Sequence, residues 1–201
     1  MDTANDLRVQ WIERLFGKVQ KYCRSGAIRD REKICEQVEG KVKELKYSYA
    51  DEEGVLEYVK WMAERLRALQ NAPISSEEAR RWLDYTITEL EDFPRKLKID
   101  ASEPFQVFRY KFVEVVSVSG HPSLENLRIA KVRDREGREY TVVTNVKDVK
   151  EGQRAAIVFL PPKEFGGVWS EAMFVAVGVS GPEEIGVERM RELNRYFFSV
   201  S

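Results

Sequence analysis

The chain has 201 residues, of which 43% are hydrophobic and 33% charged, with 33 basic and 34 acidic side chains. This balance excludes the global basic field that drives strong nonspecific nucleic-acid binding, so any such contact needs a local patch. No apolar run approaches the ~20 residues that span a bilayer, and a signal peptide's basic and apolar segments are missing, so we expect a cytoplasmic protein without a membrane partner.

The first half predicts four amphipathic helices, because apolar residues recur there at spacings of three and four. Short loops between them indicate an antiparallel bundle. The other faces are rich in Lys, Arg and Glu, which fits the surface ion pairs of a thermophile. The helices are expected over Asp6–Arg24 and Ile28–Tyr49, from the cap Asp51 to Asn71, and from the cap Ser75 or Ser76 to Pro94.

The two cysteines, Cys23 and Cys35, both fall in helical sequence. We therefore interpret them as free thiols or small core residues. A lone pair twelve residues apart is not a zinc framework, and His121 is the only histidine. We accordingly expect neither a metal site nor a cofactor.

From Phe105 onward the pattern changes to short β-rich runs. Five short strands suit a small closed barrel, and the OB-fold is the natural candidate because a sandwich needs about seven strands. A last helix is predicted over Glu183–Phe198. The five strands are expected within residues 107–118, 127–133, 140–143, 155–160 and 173–179, with a hairpin turn at 135–138.

The segment between the fourth and fifth predicted strands reads LPPKEFGGVWSEAM. Pro161 and Pro162 lack backbone donors, so we expect that no central strand passes through them. Gly166 and Gly167 allow positive φ, so the chain can reverse there at little steric cost. These features predict a rigid connecting loop.

The predicted fold class is α+β, with two domains. An N-terminal antiparallel helical bundle occupies residues 1–94 and a linker residues 95–104. A five-stranded OB-fold β-barrel follows over residues 105–180, and a C-terminal helix lies within residues 181–201.

Three landmarks in the second half occur in the order found in a known family. They are His121-Pro122 with the leucines that follow, similar to an HP-x-A-x-x-L turn; Thr141–Thr144, at the place of a VVSG-type strand; and Gly167–Met173, similar to a G-V-x-S-x-G-M segment. Over Phe105–Val179 the sequence thus resembles the tRNA-binding domain of the small bacterial tRNA-binding protein, of methionyl-tRNA synthetases and of endothelial monocyte-activating polypeptide.

The resemblance implies an OB-fold that holds tRNA, or another structured RNA, by shape and backbone contacts. Such binding needs donors and cations near phosphates and an aromatic face for stacking. It implies no catalysis, and His121, which matches the family turn, is expected to be structural. The candidate RNA-binding residues are Arg128, Lys131, Arg133, Lys163, Trp169 and Ser170.

The sequence also departs from the family's pattern near the glycines. A cation is missing near Pro161, Glu164 adds a charge that phosphate repels, and Ala172 replaces a glycine. Residues 105–180 carry 11 basic against 9 acidic side chains. The alternative is therefore a protein-interaction or assembly module, forming a homodimer or binding an aminoacyl-tRNA synthetase, that has lost much of its tRNA affinity.

Overall fold

The computed structural model describes residues 1–29, 31–99, 108–181 and 184–186. The chain divides into two compact units, Met1–Val107 and Phe108–Ser201. In the described ranges, no helix has both the length and the apolar character needed to cross a membrane. The predicted last helix, Glu183–Phe198, lies almost entirely outside the described residues.

The first unit is helical. Three of its helices begin as predicted, since the side chains of Asp6, Asp51 and Ser76 each accept a hydrogen bond from a backbone N–H of the first turn. The helices are α1 Leu7–Arg24, α2 Glu32–Lys46, α3 Glu52–Leu69, α4 Glu77–Glu91 and the short α5 Phe93–Leu97.

The four long helices pack in a ring, in which α1 contacts α2 and α4, and α3 contacts the same two helices. Their apolar stripes fill the space between them, with side chains such as Val19, Leu45, Leu66 and Leu83 completely buried. Burial of these stripes away from water is the main stabilising contribution to the bundle.

Two boundaries differ from the prediction. Ile28 does not begin α2, because it forms an isolated antiparallel bridge with Ile74, and the helix starts only at Glu32. Pro94 does not end the helical unit either. It lies in the first turn of α5, where proline's missing N–H has no helical partner to lose. Residues 95–97, expected in the linker, therefore belong to α5.

The prediction of free thiols was wrong. Cys23 of α1 and Cys35 of α2 are joined by a disulfide, with their Cα atoms 6.7 Å apart. Both residues are buried, as small core residues would be. Helical periodicity could not show this, because the two cysteines meet only when α1 and α2 pack against each other.

The second unit is a five-stranded sheet in the order β3-β2-β1-β4-β5, antiparallel at every pairing. Helices followed by an antiparallel sheet confirm the predicted α+β class. The strands are β1 Tyr110–Gly120, β2 Arg128–Asp134, β3 Glu139–Thr144, β4 Arg154–Phe165 and β5 Val168–Val177.

The predicted barrel is not closed by backbone pairing. Among the described residues, β3 and β5 form the two ends of the strand order and share no ladder. Side chains of β5 bridge them instead. The Ser170 hydroxyl accepts a 3.0 Å hydrogen bond from Val143 N, and the Glu171 carboxylate accepts a 2.8 Å bond from Thr141 N. The sheet is thus a partly open barrel, a form that OB-folds adopt.

Strand β4 runs through Pro161 and Pro162, contrary to the prediction. Its pairing with β1 ends at Val158, and its register with β5 shifts between Phe159 and Lys163. The prolines fall in this irregular stretch, where a missing N–H removes no ladder bond. The hairpin consequently continues past the end of its pairing with β1. Its second strand, β5, begins at Val168, earlier than the predicted start at residue 173.

Candidate nucleic-acid interface

The β4–β5 hairpin turns through Gly166 and Gly167, whose φ angles are +51° and +89°. Phe165 and Val168 pair across this two-residue turn. Positive φ at both positions is the geometry that suits a tight hairpin and favours glycine. The predicted chain reversal is therefore present, as the tip of a hairpin of two strands.

His121 attaches this tip to the turn that follows β1. Its Nδ1 accepts hydrogen bonds from the backbone N–H groups of Ser123 at 3.2 Å and Leu124 at 3.1 Å. Because Nδ1 is an acceptor, the proton of the neutral ring lies on Nε2, which donates to the carbonyl oxygen of Phe165 at 2.7 Å. The buried imidazole thus has a structural role, as its match to the family turn implied.

Gly166 is also required by close packing. A Cβ at this position would lie 2.6 Å from Ser123 Oγ and 3.0 Å from His121 Cε1. The Ser123 hydroxyl in turn donates to the carbonyl oxygen of Gly166 at 3.3 Å. These contacts hold the hairpin tip in one position relative to the His121 turn. The backbone from which the hairpin side chains project is therefore fixed.

Two predicted contact residues lie on this hairpin. Lys163 is exposed, and its ammonium group is 5.2 Å from the centroid of the Phe165 ring. Trp169 is half-buried and pairs across the hairpin with Glu164. The Glu164 carboxylate accepts a 3.1 Å hydrogen bond from Gly167 N, so the acid that phosphate would repel stabilises the turn itself.

Ser170 lies in the interior. Its side chain is buried, and its hydroxyl donates to the carbonyl oxygen of Ala172 at 2.9 Å while accepting from Val143 N. Both bonds join parts of the sheet. The residue therefore bridges β3 and β5, and its hydroxyl does not point toward solvent.

Arg128 is similarly engaged. Its Nη1 donates to the carbonyl oxygens of Lys147 at 2.8 Å and Val149 at 3.0 Å. The guanidinium thus holds the loop after β3 against the start of β2. The bond to the Val149 carbonyl is partly buried and therefore costly to lose, so this arginine positions the loop.

Lys131 and Arg133 lie on the outer face of β2, two residues apart. Arg133 forms an ion pair with Glu139 of β3, and Lys131 donates to the hydroxyl of Thr141. The Glu171 carboxylate accepts a hydrogen bond from the backbone N–H of Thr141. Arg133 therefore has an acidic partner on this face, and Lys131 contacts the same threonine as Glu171. Sequence reasoning missed these acids because strand register decides which charges share a face.

Asp134 organises the β2–β3 turn. Its carboxylate accepts from the backbone N–H groups of Glu136 and Arg138, from the Tyr140 hydroxyl and from the Lys111 ammonium. Burial raises the pKa of this carboxyl, but the Lys111 ammonium and the hydrogen bonds outweigh burial and hold the pKa well below its usual range.

Comparison with known proteins identifies the domain that this sheet belongs to. Residues 111–192 match the model of the family described as "Putative tRNA binding domain". These residues belong to the tRNA-binding domain family. The match confirms the resemblance drawn from the three landmarks, and it spans under half of the chain, so the tRNA-binding domain does not account for the helical unit.

Among solved structures, the crystal structure of MetRS related protein from Pyrococcus horikoshii is 27% identical, covering 43% of this chain and 91% of its own, with a TM-score of 0.34. None of the curated proteins matches the chain. Within the described part of the tRNA-binding domain and of the helical unit, no group of three His, Cys, Asp or Glu side chains is placed to hold a metal ion.

Proposed function

We propose that this protein binds RNA, with tRNA as the preferred class, through its tRNA-binding domain and without catalysing a reaction. The observation that carries the proposal is the match of residues 111–192 to the tRNA-binding domain family. We also propose that this binding takes place in the cytoplasm. The fold supports it, because partly open five-stranded barrels bind oligonucleotides on one face and with their loops.

The proposed contacts are Lys163 and Trp169 on the β4–β5 hairpin, with Lys131 and Arg133 on the outer face of β2. Lys163 supplies an exposed charge for a phosphate, and the Trp169 ring supplies a surface on which an unpaired base can stack. Arg128 and Ser170 support the fold of this surface through the hydrogen bonds described above.

Binding of total tRNA to the full chain tests the proposal, measured by filter binding between about 50 and 200 mM salt. We expect affinity to fall with salt, because counterions are released from the phosphates on binding. Lys163→Ala should reduce the log–log slope by about 1, and Trp169→Ala should weaken binding by about 1–3 kcal/mol.

The control is Lys33→Ala, which removes the same charge from an exposed position on α2. This variant should bind tRNA as the wild type does. Absence of salt-sensitive binding by the wild type would contradict the proposal.

A second function has one observation in its favour. Arg133 is paired with Glu139, and Glu171 is hydrogen-bonded to Thr141, which Lys131 also contacts. These acids weaken the attraction of this face for a polyanion. An assembly module, forming a homodimer or binding an aminoacyl-tRNA synthetase, would not need such attraction. Light scattering tests the dimer: a mass of 23.4 kDa, that of one chain, at all concentrations would exclude it.

A further inference from the structure

A cavity of about 160 Å³ opens where β2 ends and β4 begins, at a place separate from the β4–β5 hairpin. Its lining includes the apolar side chains of Phe112 and Val179. Three of its five charged lining residues are arginines, two of which sequence reasoning did not single out. The charged residues are Glu114, Arg133, Asp134, Arg135 and Arg154.

The strand register explains why these charges converge. Glu114 of β1 lies directly opposite Arg133 of β2 and directly opposite Arg154 of β4. Residues opposite each other in antiparallel strands project from the same face with Cβ atoms about 5 Å apart. Arg135 follows immediately in the β2–β3 turn, so three guanidinium groups surround one opening.

None of the three arginines is strongly engaged. Arg133 pairs with Glu139, but both side chains are about half exposed, at 51% and 49%, and exposed pairs are weak. Arg154 Nη1 lies 3.4 Å from Ser180 Oγ, longer than a well-formed hydrogen bond. Arg135 has no hydrogen bond or ion pair with any residue of the described ranges.

The two acids differ in how far their charge is compensated. Asp134 is paired with Lys111 and accepts three further hydrogen bonds, so its charge is satisfied from within the sheet. Glu114 is exposed and has no ion pair with another described residue. The opening therefore carries three cations, of which Arg133 is partly compensated by Glu139, against one uncompensated carboxylate.

We propose that this cavity binds a phosphate group of the RNA backbone, a second contact that rests on the proposed RNA-binding function. Guanidinium groups match phosphate because their planar N–H pairs can donate two parallel hydrogen bonds to it. Glu114 lies between two of the arginines and opposes the anion, so it limits the affinity of the site.

The test compares single variants of the full chain in the tRNA titration. Arg135→Ala should weaken tRNA binding about tenfold, the loss expected for a charge-assisted hydrogen bond. Glu114→Gln should strengthen binding about threefold, because it removes a repelled charge without changing the shape of the side chain. Arg138→Ala is the matched control: it removes the same charge from the same turn outside the cavity, and its backbone N–H to Asp134 is kept.

Equal affinities of the Arg135→Ala and Arg138→Ala variants, with the wild type still binding tRNA, would overturn the phosphate site and leave the proposed function intact. Loss of all salt-sensitive tRNA binding by the wild type would overturn both. Titration with AMP and with inorganic phosphate distinguishes a site for an RNA backbone phosphate from a site for a free mononucleotide or for free phosphate. Saturable AMP binding that Arg135→Ala weakens, without any effect of this variant on tRNA, would assign the cavity to a mononucleotide and overturn the RNA contact.

Discussion

His121 Nε2 donates a 2.7 Å hydrogen bond to the carbonyl oxygen of Phe165, which joins the turn after β1 to the tip of the β4–β5 hairpin, 44 residues later. The other ring nitrogen accepts from two backbone N–H groups of its own turn. One side chain therefore orders two connections, and one of them carries the proposed contacts Lys163 and Trp169.

Replacing His121 by Ala should lower the free energy of unfolding by about 2–4 kcal/mol, because it leaves two backbone donors and one carbonyl without their partner. Urea unfolding measures this loss. Glu125→Ala, an exposed change in the same connection, should alter stability by less than about 0.5 kcal/mol. Equal stability of the two variants would contradict the role of the imidazole.

Gly166 and Gly167 offer a matched comparison. Alanine at either position has an unfavourable positive φ, a penalty of about 1–2 kcal/mol. At Gly167 nothing lies within 4 Å of the added Cβ, whereas at Gly166 it meets Ser123 Oγ at 2.6 Å. Gly166→Ala should therefore be the more destabilising by about 1 kcal/mol or more in urea unfolding.

The same pair can be tested in a Ser123→Ala background. Removing the hydroxyl relieves the shortest contact, so the difference between the two alanine variants should shrink there. If the stability difference between the two alanine variants stayed the same, the contact with the Ser123 hydroxyl would not be the cause of that difference.

Asp134 should make stability depend on pH. Its pKa is lower in the folded protein than in the unfolded chain, where it is about 3.9. Its contribution is therefore fully present above about pH 5 and is lost as the pH falls through the unfolded value toward the folded one. Asp134→Asn should lower the free energy of unfolding by about 1–3 kcal/mol at pH 7 and remove much of this acid dependence.

The control for this prediction is Glu136→Gln. The Glu136 side chain is 66% exposed and also contacts Lys111, at 3.2 Å. Because an exposed ion pair contributes at most about 1 kcal/mol, this variant should keep the wild-type pH profile. Urea unfolding of the three proteins at pH 7 and at about pH 3 makes the comparison.

Glu89 and Lys96 form an ion pair in the helical unit, and both side chains are 1% exposed. Glu89→Gln should destabilise the unit by about 3–5 kcal/mol, because it leaves a buried ammonium without its counter-charge. Glu44→Gln removes a comparable partner from Lys41 at an exposed site and should have an effect below about 1 kcal/mol. If thermal unfolding showed that both variants lose similar stability, burial of the Glu89–Lys96 pair would not increase the cost of removing one partner.

The structure also shows where sequence reasoning stops. The sequence predicts Asp51, and either Ser75 or Ser76, as helix caps because the capping bond is local; Asp51 and Ser76 each accept it from an N–H three residues ahead. Lys96, by contrast, reads as part of a basic cluster with Arg95 and Lys98, yet it is buried. Its partner Glu89 lies seven residues earlier and enters its surroundings only through the packing of α4 and α5.

The helical stripes, the change to β-rich runs after Phe105 and the landmarks of the tRNA-binding domain are legible in the amino-acid sequence, because each depends on residues close together in the chain. Other features arise only from packing. The Cys23–Cys35 disulfide, the bridging role of Ser170 and the convergence of Arg133, Arg135 and Arg154 around one cavity all depend on which elements become neighbours and in what register. Side-chain periodicity within one element carries no information on that choice, since pairing is set by the packing of the whole unit.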